Sequence, residues 1–266
     1  SIGLVGSEMC IRDSLYCTGP TPYQQCSELI PYLIKQGNKR FAMPSANYIW
    51  PQLLNKWTRR IIEENGGEVV LEEYFPLDQV EYSATVGKIK SEKVDHVFLT
   101  IIPPGLGPFG KQLFESGFQK EGGTVSCVYY DENSPFYVEP YALEDTYSCL
   151  DFFHSVNDPF SKQLVKDYNA MFKDTNYLLT AGTASTGMYR GIKLYEQGVI
   201  ATNGDLAREA VSEALDNISV PEGPGGPYKT VPGTGHCAMN MYIAQNKGGD
   251  WNIISSANMV PPNECA

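Results

Sequence analysis

The chain has 266 residues, of which 42% are hydrophobic and 19% charged. At ~150 residues per domain that length makes one or two domains, with enough apolar material for a core, and it excludes a disordered chain. Acidic residues outnumber basic ones by 31 to 20, a net charge of −11, which repels phosphate backbones and anionic lipid, so no nucleic-acid partner is expected. The purely apolar runs are a few residues long, short of the ~20 that cross a bilayer, so the chain is not membrane-inserted.

Seven cysteines contain no C-x-x-C pair, and His96, His154 and His236 are scattered. A structural metal site needs clustered ligands at short spacing, so no metal or cofactor is expected. Cys149 with Cys237, and Cys17 with Cys26, are the pairs considered for bridging, in a total of at most one or two disulfides. Residues 1–14 differ in character from the rest, and the stretch Glu8-Met-Cys-Ile-Arg-Asp-Ser14 resembles the translation of a library-preparation adaptor. They are set aside from fold reasoning, as any such scar is, and are expected to contribute no designed packing.

From residue 23 the pattern alternates helix and strand. Leu29, Ile30, Leu33 and Ile34 fall at helical spacing over residues 27–36, stopped by Gly37. A strand is predicted over 39–45, and a helix over 51–64 with Pro51 in its first turn and Gly66-Gly67 beyond its end. Then follow a strand over 68–75, a helix over 82–90, an apolar β-branched strand over 94–102, a helix over 107–116 and a strand over 124–130. Four strand-then-helix units predict an α/β class domain, a parallel sheet in three layers. Ligands in such sheets sit beyond the carboxyl ends of the strands. Here those ends are residues 45–50, 75–76, 103–105 and 130–132, which makes Gly105 and Asp131 candidate lining residues.

After residue 144 the rhythm changes to a strand over 146–153 and helices over 159–172, 183–197 and 205–215. Residues 221–227 are a Pro/Gly loop, and strands over 237–245 and 251–257 are joined by the turn Lys247-Gly-Gly-Asp250. The middle block has more helices than strands to cover them.

Catalytic patterns are missing. The segment 182–187 has the glycine spacing of a phosphate loop but continues Met188-Tyr189 where Lys and Ser/Thr are needed. No G-x-S-x-G elbow occurs, and the neighbours Asp131 and Glu132 point to opposite sides of an extended chain, so an enzyme is not expected. What stands out is residues 16–25 and 45–51, which put hydroxyls and flat rings before helices, as suits a small polar solute held by hydrogen bonds and stacking.

On these residues the chain resembles the type I periplasmic solute-binding proteins of ABC transporters, in the urea/short-chain-amide branch related to the branched-chain amino-acid binders. The similarity runs from about Tyr16 to Trp251. It includes Thr18-Gly-Pro-Thr-Pro-Tyr-Gln-Gln25, Asn47-Tyr-Ile-Trp-Pro51, Gly66-Gly-Glu-Val-Val70 leading into Glu73-Tyr-Phe-Pro-Leu77, and Pro221-Glu-Gly-Pro224.

The resemblance implies two α/β lobes joined by three crossing segments that close on a solute. On that map residues 15–145 are the second lobe, 146–228 the remaining part of an incomplete first lobe, and 229–266 a crossing strand and the return to the second lobe. Three or four βα units of ~30 residues each, about 100 residues, would be absent together with any export signal. Carried over as ligand-binding are Thr18, Tyr48 and Trp50, flanked by Cys17 where the family has Tyr and Asn47 where it has Asp. The implied ligand is urea, a short-chain amide or an amino acid, the implied partners are ABC permease subunits, and the implied location is periplasmic or extracellular. A cytoplasmic amide-sensing regulator of the same fold is the alternative, and an α/β hydrolase a more distant one.

Overall fold

The structure is a computed structural model that describes residues 15–175 and 183–263, so expectations for residues 1–14, including Cys10, lie outside the described residues. The described residues open with helix α1 (Pro22–Lys35). It begins five residues before the apolar pattern because Thr21 and Gln24 close a capping box around Pro22, satisfying the first free N–H groups. Strand β1 (Arg40–Ala46) leads to α2 (Ile49–Glu64), and β2 (Glu68–Phe75) to α3 (Ser83–Ser91). Strand β3 (His96–Phe98) leads to α4 (Leu106–Glu115), and β4 (Thr124–Ser126) to a 3-10 turn (Ser134–Phe136) and the short α5 (Pro140–Leu143).

β1 to β4 are parallel in the order β2-β1-β3-β4, followed by β5 (Tyr147–Leu150), which is parallel to β4. Alternation along β1 explains the layers. Phe41 and Met43 face the core under α1 and α2 with Leu29, Leu33, Leu54 and Ile62, while Ala42 faces the core under α3 and α4 with Ile89, Phe109 and Leu113. Both faces are covered, as a parallel sheet requires. β3 and β4 are much shorter than their apolar runs predict. Past Phe98 only a single bridge, Ser45 to Thr100, continues β3, and there the Thr100 hydroxyl donates to Ser45 Oγ at 2.7 Å.

The second half contains α6 (Pro159–Met171), α7 (Thr183–Ala201) and α8 (Arg208–Leu215). Then come β6 (Ser219–Val220), β7 (Tyr228–Val231), β8 (His236–Lys247) and β9 (Asp250–Val260). All of their ladders are antiparallel. β8 pairs with β7 through its first residues and with β5 through its later ones, while β9 runs along its other edge. β6 and β7 flank the Pro/Gly loop and were not expected from the sequence. On α7, Leu194 is buried, yet Met188, Ile192 and Tyr195 are each more than half exposed, so the helix shows an apolar stripe at its surface.

Neither of the cysteine pairs considered from the sequence forms a bridge, which leaves the count within the expected upper bound among the described residues. None of Cys17, Cys26, Cys127, Cys149 and Cys237 is in a disulfide. Although β5 and β8 are neighbours, their register places Cys149 opposite Ile243 and leaves Cys237 opposite Thr230, too far along the strand for a bridge. His96 is the one ring buried in the sheet among the described histidines, and its site fixes its tautomer. Thr124 spends its hydroxyl proton on Asn38 Oδ1 at 2.8 Å, so it accepts from His96 Nδ1–H at 2.7 Å, and Ser126 donates to Nε2 at 2.7 Å.

Candidate functional site

Three rings stand together at the carboxyl ends of β1 and β4. Tyr48 is the N-cap residue of α2 in extended backbone, with no cap bond from its side chain. Its ring lies 6.2 Å from that of Trp50, which meets Tyr129 edge-on at 5.7 Å. Behind them Tyr130, Trp251 and Phe153 continue the row into the core, with Trp251 stacked on Phe153 at 5.9 Å. The topology explains the meeting: in a parallel sheet every strand-to-helix turn opens on the same side, so residues 48–50 and 129 converge though 79 or more positions apart. Tyr129 donates its hydroxyl to the Ile101 carbonyl, which fixes the ring's tilt. Burial raises the hydroxyl pKa of Tyr48, and that of Tyr129 far above the ordinary value, so both phenols stay protonated donors at neutral pH.

Asn47 is exposed beside this wall, its side-chain oxygen accepting from Gln52 Nε2 at 3.1 Å. Asp131 comes from the turn after β4 and is buried. Its Oδ1 accepts from the Asn133 backbone N–H at 2.8 Å, closing the turn that Ser134 also caps. Its neighbour Glu132 turns the other way, as expected of adjacent residues, and accepts from the His154 backbone N–H at 2.6 Å. Burial pushes the Glu132 carboxyl up, opposed by the nearby His154.

The remaining candidates are engaged elsewhere. Thr18 donates its hydroxyl to the Gly187 carbonyl of α7 at 2.7 Å, and Cys17 sits in a bridge to His236 with its N–H on the Gly235 carbonyl. Gly105 is buried at the start of α4, where a Cβ would fall 2.3 Å from the Tyr82 hydroxyl, so it serves the packing of that loop. The structure thus brings Tyr48 and Trp50 together, adds Tyr129, sets Asp131 in the adjacent turn, and places Thr18 against α7. The Tyr129-Tyr130 pair just after a strand was the available signal for the third ring.

Two open hollows lie outside this wall. One of about 730 Å³ is lined by Val80, Pro108, Lys111 and Phe136 between α3, α4 and the 3-10 turn. The other, of about 550 Å³, lies between residues 155–158 and the β8–β9 hairpin. No group of metal-ligating side chains is found among the described residues, and no described helix is long and apolar enough to cross a membrane.

The sequence pattern of the periplasmic binding protein family matches residues 6–250, and the chain belongs to that family. The match takes in part of the stretch 1–14. Solved structures agree in fold. A solute-binding protein of an ABC transporter from Rhodopseudomonas palustris HaA2, in complex with p-hydroxybenzoic acid, has a TM-score of 0.80 at 19% identity, over 94% of this chain and 68% of that one. Another from R. palustris BisB5, in complex with 3,4-dihydroxybenzoic acid, gives 0.79 at 22%, over 94% and 68%. An amino acid ABC transporter substrate-binding protein from Pseudomonas fluorescens Pf-5 gives 0.75 at 17%, over 91% and 65%. The chain thus spans about two thirds of the length of these structures.

Proposed function

We propose that the chain is the solute-binding component of an ABC importer, working in the periplasm and delivering a small polar organic solute to permease subunits. The observation that carries this reading is the wall of Tyr48, Trp50 and Tyr129 at the carboxyl end of a parallel sheet, in a chain of the periplasmic binding protein family. Flat rings take a flat solute by stacking, and the protonated Tyr48 phenol donates a hydrogen bond to one of its oxygens, the Tyr129 hydroxyl being held by the Ile101 carbonyl. The polar side chains nearest in the fold are an amide, Asn47, and a carboxylate, Asp131 in the adjacent turn, which are acceptors for N–H groups. That set favours urea, a short-chain amide or an amino acid over a simple carboxylate such as the benzoates held by the related structures. The solute binds the closed arrangement better than the open one and so shifts the population towards it.

Titration calorimetry with urea, acetamide, leucine and 4-hydroxybenzoate tests the reading. One of the N–H-bearing solutes should bind at one site per chain and leave unchanged in composition. Binding of none of the four, or conversion of any of them, overturns it.

A further inference from the structure

The strongest unexplained feature is a buried ion pair that includes none of the wall's residues. Arg190 on α7 and Asp151, just past β5, are each 1% exposed or less and form a salt bridge. The same guanidinium donates to the Pro224 carbonyl at 3.1 Å and to the Thr18 carbonyl at 3.3 Å, and its carbon lies 5.7 Å from the centre of the Tyr228 ring. One turn earlier, Thr186 donates its hydroxyl to the same Asp151 oxygen at 2.6 Å.

The backbones are pressed together around it. A Cβ at Gly187 would lie 3.3 Å from the Gly19 backbone, one at Gly191 would lie 3.3 Å from Thr18 Oγ1, and one at Gly225 only 1.9 Å from the Asp151 carbonyl oxygen. Thr18, Asp151 and Pro224 are far apart in sequence: Thr18 precedes α1, Asp151 follows β5, and Pro224 lies in the Pro/Gly loop between β6 and β7. One side chain therefore ties three separate segments to α7.

We propose that Arg190 is a positioning residue: its guanidinium pins the segments at Thr18, Asp151 and Pro224 in one register against α7, so that they move together instead of sliding separately when the protein closes on a solute. The planar fork suits this role because its donors point in fixed directions, which the single ammonium of lysine cannot copy. Asp151 supplies the charge that makes burial of the guanidinium tolerable. The inference rests on the solute-binding reading for its purpose, but the pinning itself can be measured without any solute.

The test is hydrogen exchange on the 266-residue chain. Arg190→Met alone leaves Asp151 buried and unpaired and can fail to fold, so the main variant is the Arg190→Met, Asp151→Leu double, which replaces the pair by apolar groups of similar volume. Amides of residues 17–19, 151–155 and 223–226 should exchange at least tenfold faster in the double variant, while those of β1, β2 and α2 stay unchanged. Arg190→Lys should restore protection at no more than one of the three segments. Faster exchange in α7 alone, or equally everywhere, overturns the proposal, because either result is what a merely local or merely stabilising pair would give. A tenfold change in affinity for the solute found by calorimetry should accompany it, with Tyr48 and Trp50 intact. If no solute binds but the three segments respond together, the solute-binding reading fails and the pin stands.

Discussion

Gln24 of α1 donates through one nitrogen to the carbonyls of two strands, Cys237 of β8 at 3.0 Å and Val260 of β9 at 2.7 Å. Its oxygen closes the capping box by accepting from the Thr21 N–H at 2.9 Å, and the side chain is fully buried. One amide thus fastens the first described helix to the last strands of the chain. Gln24→Ala should cost about 2–3 kcal/mol in denaturant unfolding, because buried carbonyls lose their donor. Gln24→Glu, of the same shape, should cost at least as much, since a carboxyl oxygen would then face two carbonyl oxygens. Equal stability of wild type and Gln24→Glu would show that these bonds contribute nothing.

The ring wall makes a prediction about affinity. Tyr48→Ala and Trp50→Ala should each weaken binding of the calorimetric solute by about 1–3 kcal/mol through lost stacking and hydrogen bonding. Unchanged affinity in both would assign these rings to packing and place the solute elsewhere.

His96 predicts a pH dependence. Its pKa is lowered by burial to about 3, against an ordinary value of 6.5. The folded state therefore refuses a proton that the unfolded state accepts, so this contribution is complete above pH 6.5 and is lost as pH falls below it. Between pH 6 and 5 stability should fall with a slope approaching ~1.4 kcal/mol per pH unit from this group alone. His96→Gln should flatten the slope in that window, whatever it does to the absolute stability. An unaltered slope would mean that other groups set it.

Gly225 tests the tight seam beside Asp151. Its φ is +79°, and an added methyl would sit 1.9 Å from a backbone oxygen. Gly225→Ala should cost more than about 2 kcal/mol in unfolding experiments. Gly248→Ala, in the hairpin turn at φ +62° with open space around it, should cost only about 1 kcal/mol. Similar losses at both sites would deny the seam any special tightness.

Thiol chemistry separates the cysteines. Cys17 is exposed, while Cys26, Cys127, Cys149 and Cys237 are buried, and burial pushes the Cys127 thiol up to about 12. At pH 8 a maleimide should modify Cys17 within minutes and leave the other four untouched until the chain unfolds, as peptide mapping would show. Native modification of Cys149 would contradict its burial.

Much of the first half was legible because burial imposes periods. β2 has the bounds its pattern predicts, and α2, α3 and α4 begin within two residues of theirs, since their apolar residues recur every three or four positions. The start of α1 was hidden because its first turn is polar, and only the Thr21–Gln24 capping box reveals it. β6 and β7 were hidden by the glycines and prolines between them. At the site, Tyr48 and Trp50 could be read from their place at the start of a helix, but the engagement of Thr18 by α7 could not, because it depends on two glycines 169 or more positions away. Arg190 was invisible for a plainer reason: an arginine in a helix ordinarily points to water, and nothing local says otherwise.

The arrangement of β8 has a mechanical consequence. Met239 is its last residue laddered to β7 and Tyr242 its first laddered to β5, so Asn240 and Met241 span a gap between two consecutive partners on one edge. On the other edge β9 carries a bulge at the same level, with Met259 at φ +50° and its N–H accepted by Asn240 Oδ1 at 3.0 Å. A strand resists flexing where neighbours clamp both of its edges, and yields where they do not. β8 is therefore held least by its neighbours at Asn240, where the ladder is open on one edge and bulged on the other, so any bending of this long strand is expected to collect there.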